Sequence, residues 1–441
     1  MSLPLSQKLR LTVTFAALLL VGLANSYLYT HSKNKQLAQH LAAQNVSKTQ
    51  PENFVPQQQI TLASEQDNPF IVQQISYKNL SKQNTFSSGQ KSAPVSTYYQ
   101  VIDELRKYKF SVQGSQVFTP GKLPTTKVGF NQADLLTVLS NTRKYFQDYT
   151  SQDPDIKRTG ILGTQGVTVQ DILKTLDFMI AVLQEDIAKN RATRLQDPNF
   201  INTHFRVIKW SPYNSPNSGQ QRLRITKYAV FTHPGSHKKT STFNTPIYSL
   251  KANSTNEKFY TKYTKQQVLS GIYEPGGKEF GKVEPLAYLT RTGLEEALME
   301  GTILVNFTDG SKALFNVDRN NEMPYIRGLT GTAQKRYWYF RQVDAIKGYG
   351  YKIDAKISIK PGVTFAGDVL NIGLGRVIVL EHTKGGRKQL QLGVLADTGG
   401  AFLPNLHQLD FLAGVFQNRK DFDQHIRQLP EYATAYILVK K

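Results

Sequence analysis

Between residues 130 and 190 the apolar positions step by three and four, which predicts helices. Leu135, Val138, Leu139, Thr142 and Phe146 form one stripe behind Asn131 and Asp134, a pair suited to capping a helix start. Thr168-Val169-Gln170-Asp171 has capping-box form. Behind it Ile172, Leu176, Met179, Leu183 and Ile187 give a second stripe, read like the first as core. From about residue 205 the period shortens to two. Leu223–Phe231, Tyr337–Val343, Tyr349–Ile359, Arg376–Glu381, Gln389–Leu395 and Ala433–Val439 are predicted strands. Thr302–Phe307 and Lys312–Val317 flank Asp309-Gly310, a hairpin signature. No repeat of 20–50 residues occurs, which excludes a solenoid.

The N-terminal part lacks such periods. Lys8 and Arg10 precede the apolar run Leu11–Ala24, and Ala24-Asn25-Ser26 is an acceptable cleavage site. Residues 1–30 are therefore expected to be a signal peptide, or a short membrane anchor if the run continues through Tyr27-Leu28-Tyr29. Either form predicts an exported chain, in the periplasm or cell envelope. Residues 31–95 are rich in Gln, Ser, Asn and Lys and read as a disordered stalk.

Charge and composition narrow the chemistry. The net charge is +21, which favours anionic polymers or surfaces as partners. There is no cysteine, which excludes disulfides, thiolate metal sites, thiol catalysis and a Cys-linked lipid anchor. His233 and His237 flank Pro234-Gly235, so they cannot share a helix face, and no metal site is expected. Gly373-Leu374-Gly375-Arg376 lacks the helix a phosphate loop requires, and there is no Gly-x-Ser-x-Gly elbow. Lys335-Arg336-Tyr337-Trp338-Tyr339-Phe340-Arg341 could stack bases, but its strand length points to alternation with one face in the core, and no nucleic-acid partner is expected.

Three aspartates remain. Asp397 opens Asp397-Thr398-Gly399-Gly400, where glycine clears space beside a carboxylate. One Asp-Thr-Gly would make an aspartic protease only as a dimer, since that chemistry needs two. A side-chain turn cap is the plainer alternative for Asp397.

Asp354 in "IDAKISIKPG", Asp397 in "LADTGGAF" and Asp410 in "LDFLAG" resemble, in order, the segments of the 3D (three-aspartate) domain. Upstream, "RITKYAV", "FNTPIY", "YTKQQVLSG", "EGTILVNFTDGSKALF" and "DRNNEMPY" follow the order of the MltA family, the membrane-bound lytic murein transglycosylases A. The resemblance covers roughly residues 220–441. There are departures: Lys227 and Ala229 replace a Gly and a Tyr, and Glu300-Gly301-Thr302-Ile303 replaces Gln-Gly-Ser-Gly. "GIYEPGG" (Gly271–Gly277) mimics a family motif out of order.

The resemblance implies a mainly β fold with N-terminal helices: a double-psi β-barrel domain with an inserted second β domain and a groove between them. Residues 97–228 would hold the helices and first part of the barrel, 229–330 the insertion, and 331–441 the rest of the barrel. It implies cleavage of the MurNAc-β-1,4-GlcNAc bond of peptidoglycan strands to 1,6-anhydro products, without a cofactor. Asp410 would be acid and then base, Asp397 its charged support, and Asp354 either part of the same floor or a structural turn residue. Thr226, Tyr228, Glu300, Gly301, Asp309, Tyr325, Gly399 and Gly400 would line the groove. The altered motifs leave open an inactive peptidoglycan-binding scaffold.

Overall fold

A computed structural model describes residues 97–441, apart from 104–108, 215–216, 252–257, 325, 327, 353, 400–401 and 403. The expected leader (1–30) and stalk (31–95) lie outside the described residues. Among the described residues no helix is long and apolar enough to cross a membrane.

Both helix signals are realised. Helix α1 (Gln132–Tyr149) starts where Asn131 accepts the Asp134 amide at 3.0 Å, and α2 (Val169–Ala188) starts at the Thr168–Asp171 capping box. Each cap contributes about 1 kcal/mol by satisfying amides that lack a helical partner. The stripes are buried except at Ile187, which is 44% exposed. Its neighbour Asp186 is the buried residue there, accepting from the Arg194 amide at 2.8 Å.

The strands are β1 (Tyr98–Gln100), β2 (Ser111–Gln113), β3 (Phe118–Pro120), β4 (Val128–Gly129), β5 (Phe205–Trp210), β6 (Leu223–Ser236), β7 (Thr245–Leu250) and β8 (Val283–Leu289). They continue with β9 (Thr302–Phe307), β10 (Lys312–Asn320), β11 (Trp338–Val343), β12 (Thr364–Ala366), β13 (Val377–Lys384), β14 (Arg387–Asp397), β15 (Gln408–Phe416) and β16 (Tyr432–Lys440). Strands β6, β15, β12, β14, β13 and β16 follow one another by pairing, and β16 pairs back to β6 through Tyr432↔Arg224 and Ala433↔Leu223. That closes a barrel, with parallel joints at β15–β6 and β12–β14. The β13–β14 hairpin turns on Gly385 and Gly386, whose φ of 57° and 75° suit a two-residue turn.

Two hydrophobic cores result. One draws on residues 101–225 and 349–439, the other on 247–340. Strand β6 serves both, because its far half pairs with β9 from Phe231 onward.

Two expectations change. The insertion does not end at 330, since β11 pairs along β10 and Tyr337, Trp338, Tyr339 and Phe340 are all buried in the second core. Both faces of that segment are covered, so it does not alternate. The Tyr339 hydroxyl meets that of Tyr273 at 2.7 Å, and Tyr337 donates to the Pro246 carbonyl at 3.1 Å. The expected strand at 349–359 is instead a loop folded back on itself, with isolated bridges Lys347↔Ser358 and Lys352↔Ala355. Gly348 permits this: a Cβ there would lie 2.6 Å from the Ala396 carbonyl oxygen.

Candidate active site

Three strand ends meet at one short residue. Ala366 of β12 is in register with Asp397 of β14 on one side and Asp410 of β15 on the other. In-register residues share a face in a regular ladder, which places Asp410 beside Ala366. The β12–β14 ladder slips by one residue at Asp397, and the hydrogen bond from Tyr228, two residues from Thr226 on β6, brings the Asp397 carboxylate to the same side. Two strand spacings put their Cα atoms about 10 Å apart. On the other face Phe365 and Phe411 pack at 5.6 Å between ring centroids. A cavity of about 20 Å³ on that face is lined by Ile225, Lys227, Leu380, His382, Gln391, Phe411, Leu429 and Pro430.

The row continues onto β6, where Thr226 is in register with Asp410. Tyr228 lies two residues on and reaches back to donate to Asp397 Oδ2 at 2.7 Å. The Thr398 amide donates to Asp397 Oδ1 at 2.8 Å. Both Asp397 oxygens are therefore engaged. Burial nonetheless lifts its carboxyl to about 6, against the lowering effect of Tyr228, the Thr398 amide and Lys356.

Asp410 is pushed to about 7, first by burial and then by the charge of Asp397. Gln408, Arg224 and Lys227 pull it the other way. Gln408 also donates to Thr226 Oγ1 at 2.9 Å, while Thr226 donates to the Leu409 carbonyl at 3.2 Å. A carboxyl titrating near neutrality can hold a proton at working pH and release it, which suits an acid–base catalyst.

The remaining expected residues divide. Asp354 is exposed and its carboxylate is paired with Arg341, at the edge of the second core. Asp309 sits at the tip of the β9–β10 hairpin, accepting from the Ser311 amide at 2.9 Å and Ser311 Oγ at 2.7 Å. Those bonds hold its carboxyl below the usual range and make it a turn residue at the far end of β9 from Gly301. Glu300 turns into the protein, with Oε1 3.2 Å from His233 Nε2. Its other oxygen has no partner, and burial raises its carboxyl. The Gly301 carbonyl accepts from Asn316 at 2.7 Å. The Gly399 carbonyl accepts the Phe402 amide at 3.1 Å, inside the turn after Asp397. Tyr325 and Gly400 lie outside the described residues.

Several residues at the site were not anticipated. Gln408 was legible, since two residues before Asp410 on a strand means the same face. Ala366, Asn316 and Lys356 carry no such signal. Asp368 is fully buried and accepts from the Asn371 amide and side chain at 3.0 and 2.8 Å and from the Asn405 amide at 2.9 Å. It fixes the loop from Asp397 to Asp410, and burial lifts it to about 7. Among the described residues no cluster of three or more His, Asp or Glu could hold a metal ion. A larger hollow of about 430 Å³, lined by Lys122, Leu123, Pro124, Thr125, Glu381, Lys388 and Tyr436, lies by the hairpin end of β14, away from Asp397.

No protein-family model matches this chain, and no curated protein matches it. Solved structures do. A membrane-bound lytic murein transglycosylase from Agrobacterium tumefaciens aligns with a TM-score of 0.48 at 14% identity, over 74% of this chain and 98% of its own. E. coli MltA with bound chitohexaose gives a TM-score of 0.47 at 14% identity, over 74% of this chain and 95% of its own. MltA from Neisseria gonorrhoeae gives 0.45 at 14% identity, over 73% and 97%. At such identities and TM-scores the likeness assigns no activity, which has to be argued from this chain's own residues.

Proposed function

We propose that this chain is an exported lytic transglycosylase of peptidoglycan glycan strands, with Asp410 as its acid and then its base. The observation that carries the reading is the difference between the two carboxyls of the row. Asp397 has both oxygens engaged, by Tyr228 and by the Thr398 amide, whereas Asp410 titrates near 7. A hydrolytic glycosidase needs two working carboxylates, one to protonate the leaving oxygen and one to attack or to activate water. An internal nucleophile removes the second requirement.

In this reading Asp410 gives its proton to the glycosidic oxygen between MurNAc and GlcNAc. The muramic C6 hydroxyl attacks its own C1 as that C–O bond breaks. Asp410 then takes the hydroxyl proton, which restores the acid and leaves a 1,6-anhydro ring. Asp397 beneath is ionised at neutral pH, and its charge helps to hold the proton on Asp410. The net charge of +21 favours association with an anionic wall polymer, and the N-terminal segment would keep the chain at the membrane. A protease dyad is disfavoured because a second copy would have to displace Tyr228 from Asp397.

The second reading, a glycan-binding scaffold without turnover, is favoured by one observation: Glu300, at the altered motif, is held by His233. Digestion of purified sacculi decides between them. Anhydromuropeptides are expected by mass spectrometry, falling by about 10²–10⁴-fold in Asp410→Asn. Reducing-end products alone would make it a hydrolase, and binding without products would make it a scaffold.

A further inference from the structure

Resting on the reading of Asp410 as the working acid, we infer that Lys356 is the positioning residue that keeps Asp397 a carboxylate and so keeps the proton on Asp410, and that Asn316 of the inserted domain aims it. The loop carrying Lys356 is fastened beside Asp397. The Tyr349 amide donates to the carbonyl of Ala396 at 2.9 Å, the Ile357 amide returns to the Tyr349 carbonyl at 2.8 Å, and the Tyr349 hydroxyl donates to Asp153 at 2.9 Å. Lys356 Nζ donates to Asn316 Oδ1 at 2.8 Å. The amide of Asn316 has one orientation available, because its Nδ2 donates to the Gly301 carbonyl at 2.7 Å and Thr302 Oγ1 at 2.8 Å. Its oxygen must then face the lysine.

The charges around the ammonium are Asp397 on β14, Asp318 on β10 and Lys347 on its own loop. Burial brings Lys356 down to about 8, opposed by the two aspartates. It is still about nine-tenths cationic at pH 7 by that value. Asp397 in turn faces Tyr228 from β6, Asp410 has Arg224 on β6 and Gln408 on its own strand as neighbours, and the charge of Lys227 acts on it from the other face of β6. Two coupled carboxyls share their titration, so whatever holds charge on one raises the other. An ammonium on a loop bonded to Ala396, whose charge acts on Asp397 and is not among the causes acting on Asp410, has that asymmetry.

The full chain labelled with ¹³Cγ-aspartate, titrated by NMR and assigned with Asp397→Asn and Asp410→Asn, tests this. In Lys356→Met the Asp397 step should move up by about one unit or more and the Asp410 step down. Lys356→Arg should restore both toward wild type. Asn316→Ala, which leaves the lysine charged but unaimed, should shift both in the same directions by less, and serves if the Met variant does not fold. Folded Met or Asn316→Ala protein whose two carboxyls titrate as in wild type would overturn the inference, including when it melts at lower temperature. Wild-type protein that releases no anhydromuropeptides yet shows these shifts would refute the function and leave the role of Lys356 standing.

Discussion

Tyr228→Phe removes one hydroxyl and keeps the ring. The hydroxyl donates to Asp397 Oδ2 at 2.7 Å, so the variant takes away a charge-assisted hydrogen bond. Such a bond contributes about 1.5–3 kcal/mol, and one pKa unit corresponds to about 1.4 kcal/mol. Asp397, now near 6, should therefore rise by about one to two units, past the value of about 7 held by Asp410. The proton then prefers Asp397. Asp410 loses the neighbouring charge that raised it, and a fall of about one unit is expected. At pH 7 its protonated fraction would drop from about one half to about one tenth, a roughly five-fold loss of rate. At pH 5.5 most of it stays protonated and the rate should be nearly that of wild type. Anhydromuropeptide release from sacculi between pH 5 and 8 reads this directly. An equal loss at every pH would refute the reasoning and make Tyr228 a glycan contact instead.

Asp354→Ala should leave turnover within about two-fold and cost under about 1 kcal/mol in urea, because its ion pair with Arg341 is solvent-exposed; a hundred-fold loss of rate would place it against substrate. Arg376→Met should destabilise by at least about 3 kcal/mol in urea: this fully buried guanidinium, lowered by burial to about 9, donates to the carbonyls of Ile372, Leu374, Arg158 and Thr159. A change under 1 kcal/mol would mean water replaces it there. Stability should fall as pH rises from 5.5 to 8. Asp368, Asp397 and Asp410 are raised to about 7, 6 and 7, so the folded state keeps protons the unfolded chain has released. Their contribution is complete below about pH 4 and is lost through pH 6–7. A urea midpoint that climbs over that range would contradict it.

What could be read in advance was local. Asn131 and Thr168 cap their helices because caps act within three residues, and most predicted strands form, although β11 and β13 are buried on both faces and do not alternate. Asp397 and Asp410 were legible as a pair through the order of their segments. The segment with Asp354 was legible as well, but the side chain whose charge acts on Asp397 is that of Lys356, two residues on. Alternation of Tyr349, Tyr351, Ile357 and Ile359 reads as one strand, and only the contact of Gly348 with Ala396 reveals a loop folded against β14. Ala366 and Asp368 were invisible for a related reason. An alanine between two aspartates and a carboxylate bonded to Asn371 and Asn405 acquire meaning only when strands distant in sequence come into register.

The inserted domain is not hung on a linker. Strand β6 runs unbroken from the barrel, where Thr226 lies beside Asp410, into the second core, where Phe231 pairs with Ile303. Bending that joint would break a ladder rather than turn a loop, so free rocking of the domains is disfavoured. Two charged connections stiffen it near the acid. Lys356 crosses to Asn316, and Arg341 lies between Asp354 and Asp318, 3.9 Å from the latter. Asp318 faces Lys356 as well, so the two connections share a carboxylate. The consequence is chemical as much as mechanical. A shift of β10 against the barrel would move the ammonium relative to Asp397 and with it the proton on Asp410. If Lys356 holds the charge on Asp397 as proposed, the second domain sets the protonation of Asp410 through Asn316, and substitutions on its strands would then change activity.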